Sequence, residues 1–519
     1  MLIHLRRSLI SSALGLLASI CLGDELTLER VEFAASQLEK LTEKELADTG
    51  IPGIAIAVVF KDQVVFAKGF GVREVGDARP VDADTVFQIA SLSKPVGSTV
   101  IAALVGEGVL SWDSQISDLD PAFELCDAWV TRELTVKDLY SHRSGLPEYA
   151  GDLLEDLGCS RTEILHRLRY QKSAASLRAS YAYTNFGVTE GALAAAKASG
   201  KGWEEISEEK LYEPIGMTST SSRYADFVAR KNRALGHVKI DGRWVQKHWR
   251  DADAQSPAGG VSSSVNDLAK WMRLQLADGK FAGKQVVSKE ALAQTHQPVI
   301  LTGFSPVDKL PNFYGLGWNV RYDREGRLRL SHSGAFVLGA ATVVMLLPAE
   351  QLGIVILTNA FPLGVAEALG MTFLDYALKG ESTRDWLAIY KQAFSQMQAA
   401  EASLVSDYSK PPASPEPASE NAAYLGTYKN DFFGEISVIE QGDGLALVQG
   451  PKKITFPIAH WNRDAFIYQT EGENAVGTAG ITFTLDPNAK AQSVVVENLN
   501  IHGEGTFKKV PEDEKGRHD

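Results

Sequence analysis

Phe87-Gln88-Ile89-Ala90-Ser91-Leu92-Ser93-Lys94-Pro95-Val96 changes character in its middle. Phe87 to Ala90 reads as the close of an extended segment, and Ser91 then opens a helix that continues through Val100, Ile101 and Leu104 to Gly106 or Gly108. Pro95 is tolerated there because it falls in the first turn, where a backbone N–H has no helical partner to lose. Residues three apart share a helical face, so Ser91 and Lys94 can touch. A serine hydroxyl is a poor nucleophile until a base removes its proton, and burial at a positive helix N-terminus favours the neutral amine that such a base requires. The same spacing recurs at Ser207 and Lys210. There Glu204, Glu205, Glu208 and Glu209 would keep the lysine cationic on a surface helix. Taken alone, Ser91 reads equally well as an N-cap serine beside an ordinary lysine.

On the N-terminal side, Leu26 to Lys44 carries apolar residues at helical spacing, and Ile54–Phe60 and Val64–Phe70 read as two strands around a Lys61-Asp62-Gln63 turn. The middle of the chain, from Ser91 to about Pro298, is mostly helical in pattern. Strands return at Tyr314–Val320, Leu328–His332, Ala340–Leu347 and Gly353–Leu357, followed by a helix over Val365–Lys379. Strands at both ends with helices between predict one sheet assembled from distant segments, with a helical subdomain inserted, over residues 24–404. Residues 405–420, with Lys410-Pro411-Pro412 and Pro415-Glu416-Pro417, read as an extended linker unable to pack a core. From 421 to 519 the pattern turns to short alternating segments separated by Gly442-Asp443-Gly444 and Asp486-Pro487-Asn488, which predicts a small all-β barrel.

With 519 residues and a formal net charge of −13, the chain can bury a sizeable core and lacks the basic surface that a nucleic-acid partner demands. Arg6-Arg7 followed by an apolar run from Leu9 to Leu22 reads as a signal peptide over 1–23, too short for a comfortable membrane span. The mature protein is therefore expected to be exported, periplasmic or secreted, with no integral membrane span. Only Cys126 and Cys159 then remain, as one disulfide or two separate thiols. No Cys/His cluster has zinc spacing, and neither a metal nor a cofactor is expected.

Two later stretches supply what Ser91 and Lys94 lack. Tyr183-Thr184-Asn185 lies in an aromatic-polar turn ahead of the helical run Val188–Ala198. A phenol near a lysine can relay a proton, and a carboxamide can bind both a substrate amide and the lysine. His332-Ser333-Gly334 closes a predicted strand. Gly334 permits close backbone approach, so the amide of Ala335 can join that of Ser91 as an oxyanion hole. Strand alternation puts Arg327 and Arg329 on the face opposite His332.

Further segments fit the same order: Leu139-Tyr140-Ser141-His142-Arg143-Ser144-Gly145-Leu146-Pro147, Pro257-Ala258-Gly259-Gly260-Val261 and Tyr314-Gly315-Leu316-Gly317-Trp318. Together with the three motifs, over residues from about 30 to 360, they resemble the penicillin-recognising serine hydrolases of the class C β-lactamase type, a family that includes DD-peptidases, D-aminopeptidases and esterases. The resemblance implies an α/β fold, an antiparallel sheet flanked by helices with an inserted helical subdomain, and the C-terminal barrel resembles the lipocalin-like module that often follows such domains. It also implies that Ser91 is acylated, that Lys94 and Tyr183 move its protons, and that Asn185, His332, Ser333 and Gly334 bind substrate. Where β-lactamases of this type carry lysine, this chain has His332. A neutral or weakly charged imidazole is a poorer partner for a β-lactam carboxylate. The expectation is therefore hydrolysis of an ester or amide, including a peptide with a D-residue, through an acyl-enzyme. β-Lactam hydrolysis or DD-carboxypeptidase activity comes second, and a slow-turnover penicillin-binding sensor third.

Overall fold

The structure is a computed structural model that describes residues 25–511, so the expected signal peptide lies outside the described residues. Helix α1 (Leu28–Thr49) begins where the Thr27 hydroxyl accepts the Arg30 N–H at 3.2 Å, and it ends at Gly50. Strands β1 (Gly53–Phe60) and β2 (Gln63–Gly71) follow, joined by Lys61 and Asp62 with φ of 47° and 63°. Two successive left-handed residues give the hairpin a turn whose twist matches that of its strands.

The remaining strands of the sheet come more than two hundred residues later: β3 (Ile300–Phe304), β4 (Pro311–Tyr314), β5 (Asn319–Tyr322), β6 (Leu328–Phe336), β7 (Ala340–Leu347) and β8 (Leu352–Thr358). Their order is β2-β1-β8-β7-β6-β5-β4-β3, with every neighbour antiparallel. Ile54 opposite Thr358 closes the sheet between its N- and C-terminal parts. Along β1, Ile54, Ile56 and Val58 pack with α1 on one face, while Ala55, Ala57 and Val59 join the core of the helical side on the other. A strand buried on both faces reads as a continuous apolar run, as this one does.

The strand expected over Tyr314–Val320 is broken into β4 and β5. The turn between them carries Trp318 into the core, where it stacks on Trp271 at 5.5 Å and 2°. The strand expected to stop at His332 continues as β6 to Phe336, because His332 to Phe336 still pair with β7. Helix α2 (Ser93–Gly106) starts two residues later than expected, and Ser91 occupies the 3₁₀ turn Ala90–Leu92 ahead of it. Helices α3 (Asp152–Asp156) and α4 (Asn185–Ala198) belong to the inserted subdomain. Helix α5 (Val365–Lys379) packs behind the sheet, and α6 (Trp386–Ala402), not foreseen from the sequence, lies on α5.

Eight further strands between Gly426 and Lys509 form a closed antiparallel barrel. Aromatic rings fill its centre: Tyr424 lies 5.0 Å from Phe466 and 4.8 Å from Phe483. The Pro-rich stretch before it is docked rather than free. Ser406 and Tyr408 donate to Glu497 at 2.6 and 2.8 Å, and the Glu416 amide donates to Asn462 at 2.8 Å. Cys126 is exposed, Cys159 is buried, and both are free thiols. Among the described residues no helix is long and apolar enough to cross a membrane.

Candidate active site

The turn that carries Ser91 is held from three sides. Ala90 has φ of 49°, a left-handed conformation that costs a non-glycine residue energy and survives only where its surroundings enforce it. The enforcement is visible: the Ser93 hydroxyl donates to the Ala90 carbonyl at 2.6 Å and accepts from Val261 N–H at 3.0 Å, while Ile89 N–H donates to the Val261 carbonyl at 3.0 Å. On the third side β6 presses against the turn. A Cβ on Gly334 would lie 2.5 Å from the Ile89 carbonyl and 3.0 Å from the Ser91 nitrogen, so only glycine lets the strand come this close.

Lys94 is fully buried, whereas Ser91 and Tyr183 retain access to solvent. Its Nζ lies 3.1 Å from Ser91 Oγ, 2.7 Å from Asn185 Oδ1 and 3.0 Å from the Ala258 carbonyl. Burial lowers the amine to about 7, against the opposing pull of Asp152. The two oxygens other than Ser91 can only accept. A neutral amine therefore donates its two protons to Asn185 and Ala258, and its lone pair is left facing the serine hydroxyl. A neutral amine placed this way is able to accept the Ser91 proton. Asn185 is fixed in turn, since its Nδ2 donates to Asp152 Oδ2 at 2.6 Å. Each end of this carboxamide therefore has a partner within the protein, and one N–H and one acceptor lone pair remain.

Tyr183 donates its phenol proton to Ser91 Oγ at 2.7 Å, and Lys94 Nζ sits 4.4 Å from the centre of its ring. Burial holds that phenol well above the usual tyrosine range, reinforced by Tyr181, Tyr149 and Asp152 and opposed by the bond to Ser91. It stays protonated near neutrality, which suits a proton donor better than a phenolate base. Its position is set by His142, whose Nδ1 accepts the Thr184 N–H at 3.1 Å and whose ring centre lies 4.5 Å from that of Tyr183.

His332 faces the site with both nitrogens occupied: Nδ1 donates to the Ser333 carbonyl at 2.6 Å and Nε2 accepts from the Tyr314 hydroxyl at 2.8 Å. Burial, with Lys94 close by, lowers it to about 3, so the ring is neutral. Ser333 was expected to bind substrate alongside it, but strand alternation turns its side chain to the opposite face, beside Glu367 of α5. Its carbonyl alone serves the site, by orienting His332. Arg327 and Arg329 also lie away from it, the first paired with Asp323 at 3.0 Å and the second against Met371 at 2.9 Å. At the second Ser-x-x-Lys spacing, the hydroxyl of buried Ser207 donates to the Trp203 carbonyl at 2.8 Å and Lys210 pairs with Glu107 at 3.0 Å. That pair is not brought together as a site, although Ser207 lies in the interior and not on the surface expected.

Four contributors had no assigned role in the sequence reading. The Ala258 carbonyl and the rings of His142 and Tyr314 belong to segments recognised only as patterns. Asp152 follows Gly151 in a stretch with no motif, and nothing short of the fold shows that it reaches Asn185.

A family model described as "Beta-lactamase" matches residues 38–375, and a second, "Domain of unknown function (DUF3471)", matches 410–509. The unguisins hydrolase ungD of Aspergillus violaceofuscus is 26% identical over 430 residues, covering 76% of this chain and 75% of that protein. The D-alanyl-D-alanine-carboxypeptidase/endopeptidase AmpH of Escherichia coli K12 is 24% identical over 371 residues, covering 69% and 93%. The octameric penicillin-binding protein homologue from Pyrococcus abyssi superposes with a TM-score of 0.59 at 22% identity, over 92% of this chain and all of that one, a likeness of fold.

Proposed function

The chain belongs to the β-lactamase family of serine hydrolases, and from that premise we propose that Ser91 is its nucleophile in an acyl-enzyme reaction on an ester or amide. The observation that carries this reading is the buried Lys94 Nζ 3.1 Å from Ser91 Oγ, with Asn185 Oδ1 and the Ala258 carbonyl placed to take both protons of the neutral amine. Ser91 gives its proton to Lys94 as Oγ bonds to the substrate carbonyl carbon. The negative charge that moves onto the carbonyl oxygen faces the amides of Ser91 and Ala335, the proposed oxyanion hole. As the carbon–leaving-group bond breaks, Tyr183 donates a proton to the departing oxygen or nitrogen and recovers one from the Lys94 ammonium. Water then attacks the acyl-enzyme, loses a proton to the same pair, and releases the acid and the free serine.

Neutral His332 offers no cation to a carboxylate. This favours an ester, or an amide such as a peptide with a D-residue, over efficient β-lactam hydrolysis. The relative named an unguisins hydrolase supports hydrolysis, and the relative named a D-alanyl-D-alanine-carboxypeptidase/endopeptidase supports a peptide bond as the target. DD-carboxypeptidase activity is the second reading, favoured by that latter name. The apolar run behind Arg6-Arg7 supports export to the periplasm or beyond. The test is a panel of p-nitrophenyl esters, D- and L-amino-acid anilides and a chromogenic cephalosporin, with Ser91→Ala as control. Turnover of esters or D-anilides that vanishes in Ser91→Ala supports the proposal, and turnover that survives removes it.

A further inference from the structure

One loop of the barrel reaches out of its own domain and into the walls of the cleft. It joins the strands Ala465–Gln469 and Thr478–Leu485, and Gly472, Glu473 and Asn474 form its tip. The Glu473 carboxylate accepts the amides of two successive residues, Val337 at 2.8 Å and Leu338 at 3.4 Å. These follow directly on β6, two and three residues after Ala335. Glu473 is itself held by its backbone: its N–H donates to Asp156 at 3.1 Å, and Asn474 donates to the same carboxylate through N–H at 2.8 Å and Nδ2 at 2.9 Å. Asn474 Nδ2 also reaches the Asp152 carbonyl at 3.3 Å. Gly472 has φ of 113° and a Cβ there would lie 2.7 Å from Asp156 Cγ, so the loop is shaped for this seat. Arg250 completes the junction. It donates to Glu155 at 2.6 Å, lies 3.9 Å from Glu473, and covers the Phe336 ring at 5.0 Å.

The loop therefore spans the two segments that matter most to the proposed reaction: helix α3, which carries Asp152 and through it Asn185 and Lys94, and the end of β6, which carries Ala335. We infer that Glu473 is a positioning residue of the active site, fixing the Val337–Leu338 turn and so the direction of the Ala335 amide toward the developing oxyanion. One planar carboxyl group bonded to two consecutive amides, and anchored through its own backbone, holds a turn by fixed partners where exchanging water would not. This rests on the proposed role of Ser91 and of the Ala335 amide. It makes the barrel part of the catalytic apparatus, and the enzyme a single unit across both domains.

The experiment compares Glu473→Ala and Glu473→Gln with the parent in the full-length protein, using an ester the parent turns over. Complete loss of an oxyanion donor costs about 10² to 10³ in kcat, so a misaligned one is expected to cost roughly ten- to a hundredfold in Glu473→Ala, with KM within about twofold. Glu473→Gln keeps one acceptor oxygen and is expected to lose less. Affinity for a boronic acid, which imitates the tetrahedral intermediate, should fall by the same factor as kcat/KM. A folded Glu473→Ala with parental kcat and parental boronate affinity overturns the inference. If Glu473→Ala fails to fold, Glu473→Gln decides alone, with parental kcat as the contradicting result. Loss of hydrolysis in Ser91→Ala beside parental Glu473 variants would reject only the positioning role, whereas hydrolysis surviving in Ser91→Ala would reject the nucleophile reading beneath it.

Discussion

At the scale of single residues, the proposed reaction depends on which protonation state each group holds. Lys94, lowered to about 7 by burial, must be neutral to accept the Ser91 proton. Below that pH it is a cation, so kcat/KM is expected to rise with pH through about 7 and to fall roughly tenfold per unit on the acid side. Asp152, whose own carboxyl burial raises to about 8, carries a negative charge only when ionised, and that charge works against burial and raises Lys94. Asp152→Asn removes that charge while keeping an acceptor for Asn185, and the acid limb should move to lower pH; an unmoved limb would show that Asp152 is protonated in the working enzyme. Ser91, Lys94 and Tyr183 were legible in the sequence because two are three residues apart on one turn and the third sits in a distinctive aromatic-polar stretch. Asp152 was illegible because its importance lies in a bond to a residue 33 positions away. Ser333 was assigned to substrate because a tripeptide motif was read as a unit, although a strand sends alternate side chains to opposite faces.

Among the elements, the meeting of β6 with the 3₁₀ turn at Ser91 is the tightest junction of the site. Gly334→Val would place a branched side chain where even a Cβ lies 2.5 Å from backbone. It is expected to destabilise the fold by about 1 to 3 kcal/mol and to cut activity by displacing Ala335 from Ser91. A thermal melt together with an ester assay checks both. The N-terminal hairpin, β7, β8 and helix α5 were foreseen closely because β1, β7 and β8 are unbroken apolar runs of strand length and α5 carries apolar residues at helical spacing. Helix α6 was missed because Trp386 is its one buried residue, leaving little amphipathic signal to read. The break between β4 and β5 was missed for a different reason: alternation continues through Gly315–Trp318, and the stacking of Trp318 on Trp271, which the turn serves, is a long-range contact.

For the whole molecule, the division into two domains conceals a shared interior. Buried residues of the barrel, among them Tyr424 and Tyr428, belong to the same contiguous apolar cluster as Leu157 and Leu168 of the catalytic domain. Polar bonds cross the same boundary, with Arg167 donating to the Phe432 carbonyl at 2.8 Å and Gln171 to Glu504 at 2.7 Å. Calorimetry of the intact chain is therefore expected to give one cooperative transition, and two resolved transitions would contradict the shared core. The stretch rich in proline and serine read as an extended linker, since composition reports what a segment cannot pack by itself and not what it docks against. The central claim remains the chemistry at Ser91. It is tested most directly by acid-quenching the enzyme during turnover of a p-nitrophenyl ester and locating the acyl mass by peptide mass spectrometry. The adduct is expected on Ser91 and absent in Ser91→Ala; an adduct on another residue, or steady hydrolysis by Ser91→Ala, would contradict the acyl-enzyme at Ser91.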